Sequence, residues 1–450
     1  MPTIMVSMDT LRTRLMALAI ENLPFPNSAR LAVLDWGCET GESTWLLQNQ
    51  LPFSTIHGCD NPIHIDNARK RLPQMKEQLL EFRQVPREAR YDLVVLLSNG
   101  ERLCSQIEYV KSLTRRWLLV LAPYQTLSEP EWKRLGFQAH LEITSEPNDG
   151  IYWCALLDYA YQEQPVQRVL IASPVRQSPE ILREFLTSLS DQDTQGYEVD
   201  YLFVDNNDEV DSSRLLHEFA ETHKGQVHIW EAPVFTTYER RETHVWTEAL
   251  VWRLASIKDA MFDFAQERDY DAIWFIDSDL VVPPNLLRRL CECNRAIVSE
   301  VFWTRWQPEL FPLPNVWYRD FYTIYRSERG EKLNQEEIQR RTVHFLNALT
   351  HAPGLYRVHG LGACTLIRRE AIQSGVRFSE IGGLSFWGED RHFCVRAEAL
   401  GFTLYADTTL PPFHLYRLDL IDRLGNYRQA LQANMEPTRF VAKVMELSRG

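Results

Sequence analysis

Two consecutive doubly wound α/β domains are what this 450-residue sequence predicts. Three observations carry the prediction. Short apolar, β-branched runs recur along the chain, as in strands buried on both faces of a parallel sheet. Helical stretches alternate with those runs. A polar stretch with Pro165, in YAYQEQPVQRVL, separates one such series from a second. The expected domains are residues 1–160 and 166–450. At roughly 100–200 residues per domain the length allows two or three, each able to bury a core.

In the first domain a helix is expected over 8–22. Strands follow at ARLAVLDWG, STIHGCD, LEFRQV, YDLVVLL, RWLLVLAP, FQAHLEI and YWCALLDY. Helical stretches at 41–50, 63–72 and 101–114 alternate with them. In the second domain strands are expected at RVLIASPV, VDYLFVDNN, QVHIWEAP, DAIWFIDSDLVV and AIVSEVFW, with a late one at FTLYAD. Helices are expected over 178–190, 211–223, 244–268, 284–293, 335–350 and 389–401. Both series read as Rossmann-like folds.

The chain carries 48 Lys+Arg against 61 Asp+Glu, a net charge of −13. With 24% charged and 45% hydrophobic residues it has the composition of a soluble globular protein. The acidic balance argues against broad nucleic-acid binding and against docking on an anionic membrane. No apolar run reaches the ~20 residues of a transmembrane helix. The N-terminal stretch has no cationic leader and carries Asp9 early, so a signal peptide is not expected. The eight cysteines form no CxxC pair, and most sit in apolar stretches. A reduced, cytoplasmic protein is the simplest expectation.

Leu34-Asp35-Trp36-Gly37-Cys38-Glu39-Thr40-Gly41 leaves a predicted strand and enters a predicted helix. Glycines there permit a tight turn and close approach of backbone to a ligand. Asp60 ends the next strand, about 20 residues on, where an acid can bind ribose hydroxyls. On VLDWGCETGEST, IHGCD and YDLVVLL, residues 28–160 resemble the class I S-adenosylmethionine-dependent methyltransferases. Glu39 stands where that family has the middle glycine of its loop. The resemblance implies S-adenosylmethionine binding by Asp35, Gly37, Gly41 and Asp60. A scaffold or interaction module that keeps only the fold, and ligand binding without methyl transfer, are the alternatives.

Asp277-Ser278-Asp279 follows the apolar run AIWFI, which delivers two carboxylates to the carboxyl end of a strand. Side chains at i and i+2 of an extended chain point to one side. Two hard oxygen ligands so placed suit Mg²⁺ or Mn²⁺ bridging a diphosphate. Asp205-Asn206-Asn207 ends an earlier strand, and Ser173-Pro174-Val175-Arg176 ends the first; both suit a nucleoside. Arg253 and Lys258, on the helix before the DxD strand, are candidates for facing the diphosphate. His359-Gly360-Leu361-Gly362 is a flexible glycine pair. Phe386-Trp387-Gly388-Glu389-Asp390 opens a helix, where acids are also favoured by the macrodipole. A carboxylate there can take the proton of an acceptor hydroxyl. His414, after the late strand, is a candidate nitrogen ligand to the same metal. Nine aromatics between Phe302 and Tyr325, Trp303 among them, suit a sugar or peptide acceptor.

Taken in order from 166 to 416, these pieces resemble the GT-A class of nucleotide-sugar glycosyltransferases, particularly those akin to family 2. The resemblance implies metal-dependent transfer from a UDP- or GDP-sugar to a hydroxyl of a glycan, peptide or small molecule, inverting if it proceeds by one displacement. Donor contacts fall to Ser173, Pro174, Arg176, Asp205, Asn206, Arg253, Lys258, Asp277, Ser278 and Asp279. Asp277, Asp279 and His414 hold the Mn²⁺ or Mg²⁺. Asp390 is the base and Glu389 orients the acceptor, with Trp303, Gly360, Gly362 and Trp387 beside it. Two other readings stay open: a bifunctional enzyme that also methylates, and a non-catalytic protein that binds a glycan or peptide.

Overall fold

In the computed structural model of the chain the apolar runs become strands wherever a helix covers each face. The structure describes residues 11–20, 29–86, 90–124, 126–137, 140–143, 151–158, 167–223, 225–232, 247–305, 311–319, 322–327, 330–385 and 388–448. They divide into two units, Met1–Glu163 and Gln164–Gly450. No helix among them is long and apolar enough to cross a membrane. All eight cysteines are free, and only Cys104 is exposed.

Among its described residues the first unit has seven strands: β1 (Ala32–Trp36), β2 (Thr55–Asp60), β3 (Leu79–Glu81), β4 (Tyr91–Leu97), β5 (Thr114–Pro123), β6 (His140–Ile143) and β7 (Tyr152–Asp158). Their order is β3-β2-β1-β4-β5-β7-β6. The first five run parallel, whereas β7 is antiparallel to β5 and β6. Val33, Leu34, Val94 and Leu118 are sealed from water between helices, which is why these runs lack alternation. The run LEFRQV gives only the short β3, because Phe82–Gln84 turns into a 3-10 helix.

The second unit has β8 (Arg168–Val175), β9 (Glu198–Asp205), β10 (Val227–Glu231), β11 (Ala272–Phe275), β12 (Leu280–Val281), β13 (Ile297–Glu300), β14 (Trp303–Thr304), β15 (Leu313–Pro314), β16 (Val316–Trp317), β17 (Leu355–Val358), β18 (Gly360–Leu361), β19 (Thr365–Arg368), β20 (Leu404–Asp407) and β21 (Phe413–His414). The main sheet runs β10-β9-β8-β11-β19-β13-β20-β17. Its β8–β11 half is parallel. Beyond β11 the sheet is mixed, since β19 is antiparallel to both β11 and β13. Among the described residues three two-stranded ribbons, β12-β21, β14-β15 and β16-β18, form sheets of their own.

Two expected strands break. DAIWFIDSDLVV is β11 and β12 with a turn between, so Asp277 and Asp279 are brought together by that turn and not by the period of a strand. AIVSEVFW ends at Glu300 and resumes as β14. The helix expected over 244–268 is described as Glu248–Glu267, capped by the Thr247 hydroxyl accepting from the Leu250 N–H.

Candidate functional site

In the second sheet β9 and β10 lie on one side of β8 and β11 on the other. Ligands of open α/β sheets bind outside the carboxyl ends of strands at such a switch point. The register fixes what stands there. Val175 pairs with Asp205 and Ala172 with Phe275, so the residues following β8, β9 and β11 share one edge.

At the β8–β9 end the side chains brace one another. Asp205 Oδ1 accepts from the Asn207 N–H at 3.0 Å and from its side-chain amide at 2.8 Å. Asn207 Oδ1 accepts from the Gln177 N–H at 2.8 Å, and the Asn206 N–H donates to the Val175 carbonyl at 2.9 Å. Arg176 Nε donates to Asp208 Oδ2 at 3.1 Å. Ser173 is sealed within β8. Pro174 is still within β8, opposite Val204, and the loop begins at Arg176.

At the β11 end the charges converge. The Lys258 ammonium, 4% exposed, donates to Glu389 Oε1 at 2.8 Å and to Asp390 Oδ1 at 3.3 Å, and lies 4.7 Å from the Phe378 ring. The adjacent Asp259 fixes that ring's loop, accepting from the N–H groups of Phe378 and Ser379. Burial alone would favour the neutral amine. The charges of Asp390, Glu389 and Asp277 outweigh it and raise the Lys258 pKa. Asp277 is pushed up to about 6, first by burial and then by the charges of Asp279 and Glu389. Asp390 is pushed up to about 7, again first by burial and then by Glu389 and Asp277. Lys258 thus turns its charge to the carboxylates. Arg253 lies half-buried on the same helix, and Ser278 is buried between the two aspartates.

His414 reaches the site through the β12-β21 ribbon, in which it pairs with Leu280. The Leu415 N–H donates to the Asp279 carbonyl at 2.7 Å. His414 Nδ1 lies 2.8 Å from the Thr304 hydroxyl, and its Nε2 faces Asp279 Oδ2 at 3.4 Å. Two donors each about 2.1 Å from one cation stand about 3 Å apart. Asp277, Asp279 and His414 therefore suit a hard divalent ion in kind, and the Asp279–His414 pair suits it in spacing. Among the described residues no three such side chains already stand in metal-ligand geometry.

Opposite Lys258 lie the glycines. A Cβ on Gly362 would sit 3.3 Å from Asp390 Oδ2, and one on Gly360 would fall inside the Trp317 indole, at 1.7 Å. Glycine at these two positions keeps Asp390 accessible and lets Trp317 lie on the backbone. Trp303 is 1% exposed and packs in the interior, without a face toward an acceptor. Trp387 and Phe386 lie outside the described residues. So do residues 233–246, just before the Lys258 helix. A groove of about 560 Å³ lined by Trp252, Ser256, Asp259 and Glu380 includes none of Asp277, Asp279 or Asp390.

The loop of the first unit turns inward. Gly37 and Gly41 have φ of 76° and 79°, and Glu39 shares that left-handed region at 49°. Asp35 is buried, accepting from Arg12, Ser43 and Thr44. Asp60, 5% exposed, accepts from the Glu39 N–H at 2.7 Å through one oxygen. Its other oxygen accepts from the Asn61 N–H at 2.6 Å and lies 3.0 Å from His64 Nδ1. Both acids are thus used by the protein itself. Arg12 and His64 were not singled out by the sequence; nothing in their spacing marks them as partners of Asp35 and Asp60.

No known family's sequence profile matches the chain. A stretch of 85 residues, 18% of the chain, is 36% identical to trans-aconitate 2-methyltransferase of Variovorax paradoxus (strain S110). It spans about a third (32%) of that protein. Among solved structures, S. aureus TarS aligns over 62% of this chain and 43% of its own, with 12% identity and a TM-score of 0.36. A mannosyltransferase from Pyrobaculum calidifontis, solved with GDP-Man and Mn²⁺, aligns over 63% of this chain and 70% of its own, with 14% identity and a TM-score of 0.32.

Proposed function

We propose that the second unit is a metal-dependent glycosyltransferase that moves a sugar from a UDP- or GDP-sugar to a hydroxyl acceptor, with inversion. One observation supports this above the rest: Asp277, Asp279, His414, Lys258, Glu389 and Asp390 meet at the switch point of the sheet. Such a constellation answers the two needs of the reaction. The departing diphosphate requires positive charge, and the attacking hydroxyl requires a base. Asp277, Asp279 and His414 would hold a divalent cation, which stabilises the leaving group without proton transfer. Asp205, Asn206 and Arg176 line the nucleoside end. Asp390 takes the acceptor proton, and Glu389, tied to Lys258, orients the acceptor and fixes the base.

The first unit is proposed as a methyltransferase-like module without methyl transfer. Asp35 and Asp60 already accept from Arg12, Ser43, Thr44, Asn61 and the Glu39 backbone, with His64 beside Asp60, which leaves them little capacity for the hydroxyls of S-adenosylmethionine. No step is routed through that cofactor.

The test is a panel of UDP- and GDP-sugars with Mn²⁺, Mg²⁺ or EDTA, followed as release of nucleoside diphosphate. Turnover is expected with metal and is abolished by EDTA. Asp279→Ala should lower it at least about a hundredfold, the scale of losing one electrostatic element of a site. Metal-independent turnover, or an unaffected variant, rules the reading out.

A further inference from the structure

Tyr322 stands out on three independent counts. It is a large aromatic left 42% exposed. Its φ is +55°, a left-handed conformation that a bulky side chain rarely adopts. Its hydroxyl lies 3.2 Å from where a Cβ on Gly388 would be, and Gly388 caps the helix that carries Glu389 and Asp390.

The surroundings hold the ring in place. Thr323 pairs with Arg319 in a tight reversal of the chain, through hydrogen bonds at 3.2 and 3.3 Å. Tyr318, next to that pair, rests on Phe345 with ring centroids 4.2 Å apart. Tyr322 itself leans on Trp317, 4.3 Å away and tilted by 48°. Trp317 in turn lies on Gly360, where no Cβ fits. A glycine would adopt the φ of Tyr322 at no steric cost, yet the chain keeps an aromatic ring at this position, packed on Trp317. Backbone strain of this kind is held by the surrounding packing and clusters at active sites and ligand clamps.

From this we propose that Tyr322 is the platform of an acceptor subsite and that the acceptor is a sugar ring. A pyranose has an apolar face of C–H groups and a rim of hydroxyls. The exposed face of Tyr322 beside the Glu389–Asp390 carboxylates is the complement of that shape. Stacked on Tyr322, the ring turns a hydroxyl toward Asp390 across the gap kept open by Gly362. The nucleoside of the donor belongs at the other end, near Asp205, so the platform does not serve a base. The inference rests on the glycosyltransferase reading and names its acceptor class.

The experiment reads binding and not turnover, so the two ideas fail separately. Saturation-transfer NMR is run on the full chain with methyl glycosides of glucose, galactose, mannose and N-acetylglucosamine. At least one should receive saturation on its ring C–H protons. Tyr322→Gly relieves the backbone but gives up the Trp317 contact and loosens the unfolded chain, so its cooperative melting is checked first, and the folded variant should bind that glycoside at least about tenfold more weakly. Tyr322→Phe, which keeps the face, should stay within about threefold. The inference is overturned if no glycoside receives saturation, or if a folded Tyr322→Gly binds as tightly as the wild type.

Discussion

Asp390 shares one ammonium, that of Lys258, with Glu389, and the balance of charge around it sets when it can act as a base. Burial and the neighbouring acids favour its neutral form and place its pKa at about 7; Lys258 pulls the other way. Only the ionised form accepts a proton. The expected kcat/KM for glycosyl transfer therefore rises with pH through about 7 and levels off above it. Lys258→Met removes the opposing charge and should move the inflection upward, whereas Asp390→Asn should abolish the rise along with the activity. A profile flat from pH 5 to 9 would assign the base elsewhere. For stability the sign is the reverse. Both Asp277 and Asp390 have pKa values above the ordinary aspartate range. Their contribution is full below about pH 4 and is lost as pH rises through about 6 to 7. At this scale the carboxylates were legible in the sequence, since acids after an apolar strand or at a helix start have few other places to go. The partner of Lys258 was not. A helical position identifies the face it shares with its own neighbours, and not the loop and helix that pack against it from 120 residues further on.

Strand pairing makes a demand that no local pattern announced. β13 and β20 run parallel with Glu300 opposite Asp407, so two acids meet inside the sheet, both sealed from water. Arg289 grips Asp407 through Nε at 2.9 Å and Nη2 at 2.8 Å, and Thr409 donates to it as well, which keeps Asp407 ionised. Burial and the charge of Asp407 push Glu300 well above the usual carboxylic range. Glu300 Oε1 accepts from the Leu410 N–H at 3.0 Å, in the connection that leads to His414, and a neutral Glu300 would have a proton to give the adjoining Asp407. An amide can make the same two bonds. Glu300→Gln should thus cost less than about 1 kcal/mol, whereas Glu300→Ala leaves a cavity and an unpaired N–H and should cost about 2–4 kcal/mol. Urea unfolding measures both, and an equal loss in the two variants would refute the shared proton. The long parallel runs were readable because burial on both faces erases alternation. The two-residue ribbons were not, because two residues have no period, and it is the β12-β21 ribbon that brings His414 to Asp279.

The excess of 13 acids is a property of the whole chain, yet the two units use acids in opposite ways. In the first, Asp35 and Asp60 satisfy the protein's own donors. In the second, burial and neighbouring acids raise Asp277 to about 6 and Asp390 to about 7. An anionic donor can enter such a site only with a cation between, so the proposed chemistry and its metal demand fall to the second unit. Each unit also closes its own sheet and its own core. Cutting the chain between Asp158 and Gln167 is therefore expected to leave two folded pieces. The C-terminal piece should retain metal-dependent nucleotide-sugar turnover within about threefold, because no residue assigned to the reaction precedes Ser173. The N-terminal piece should give no calorimetric heat with millimolar S-adenosylmethionine. Asp60→Ala should not change that, since Asp60 braces the loop and does not wait for a ribose. Micromolar binding of S-adenosylmethionine by the N-terminal piece would instead mean that the Glu39 loop releases Asp60 when ligand arrives. The bifunctional reading would then replace the single-site one.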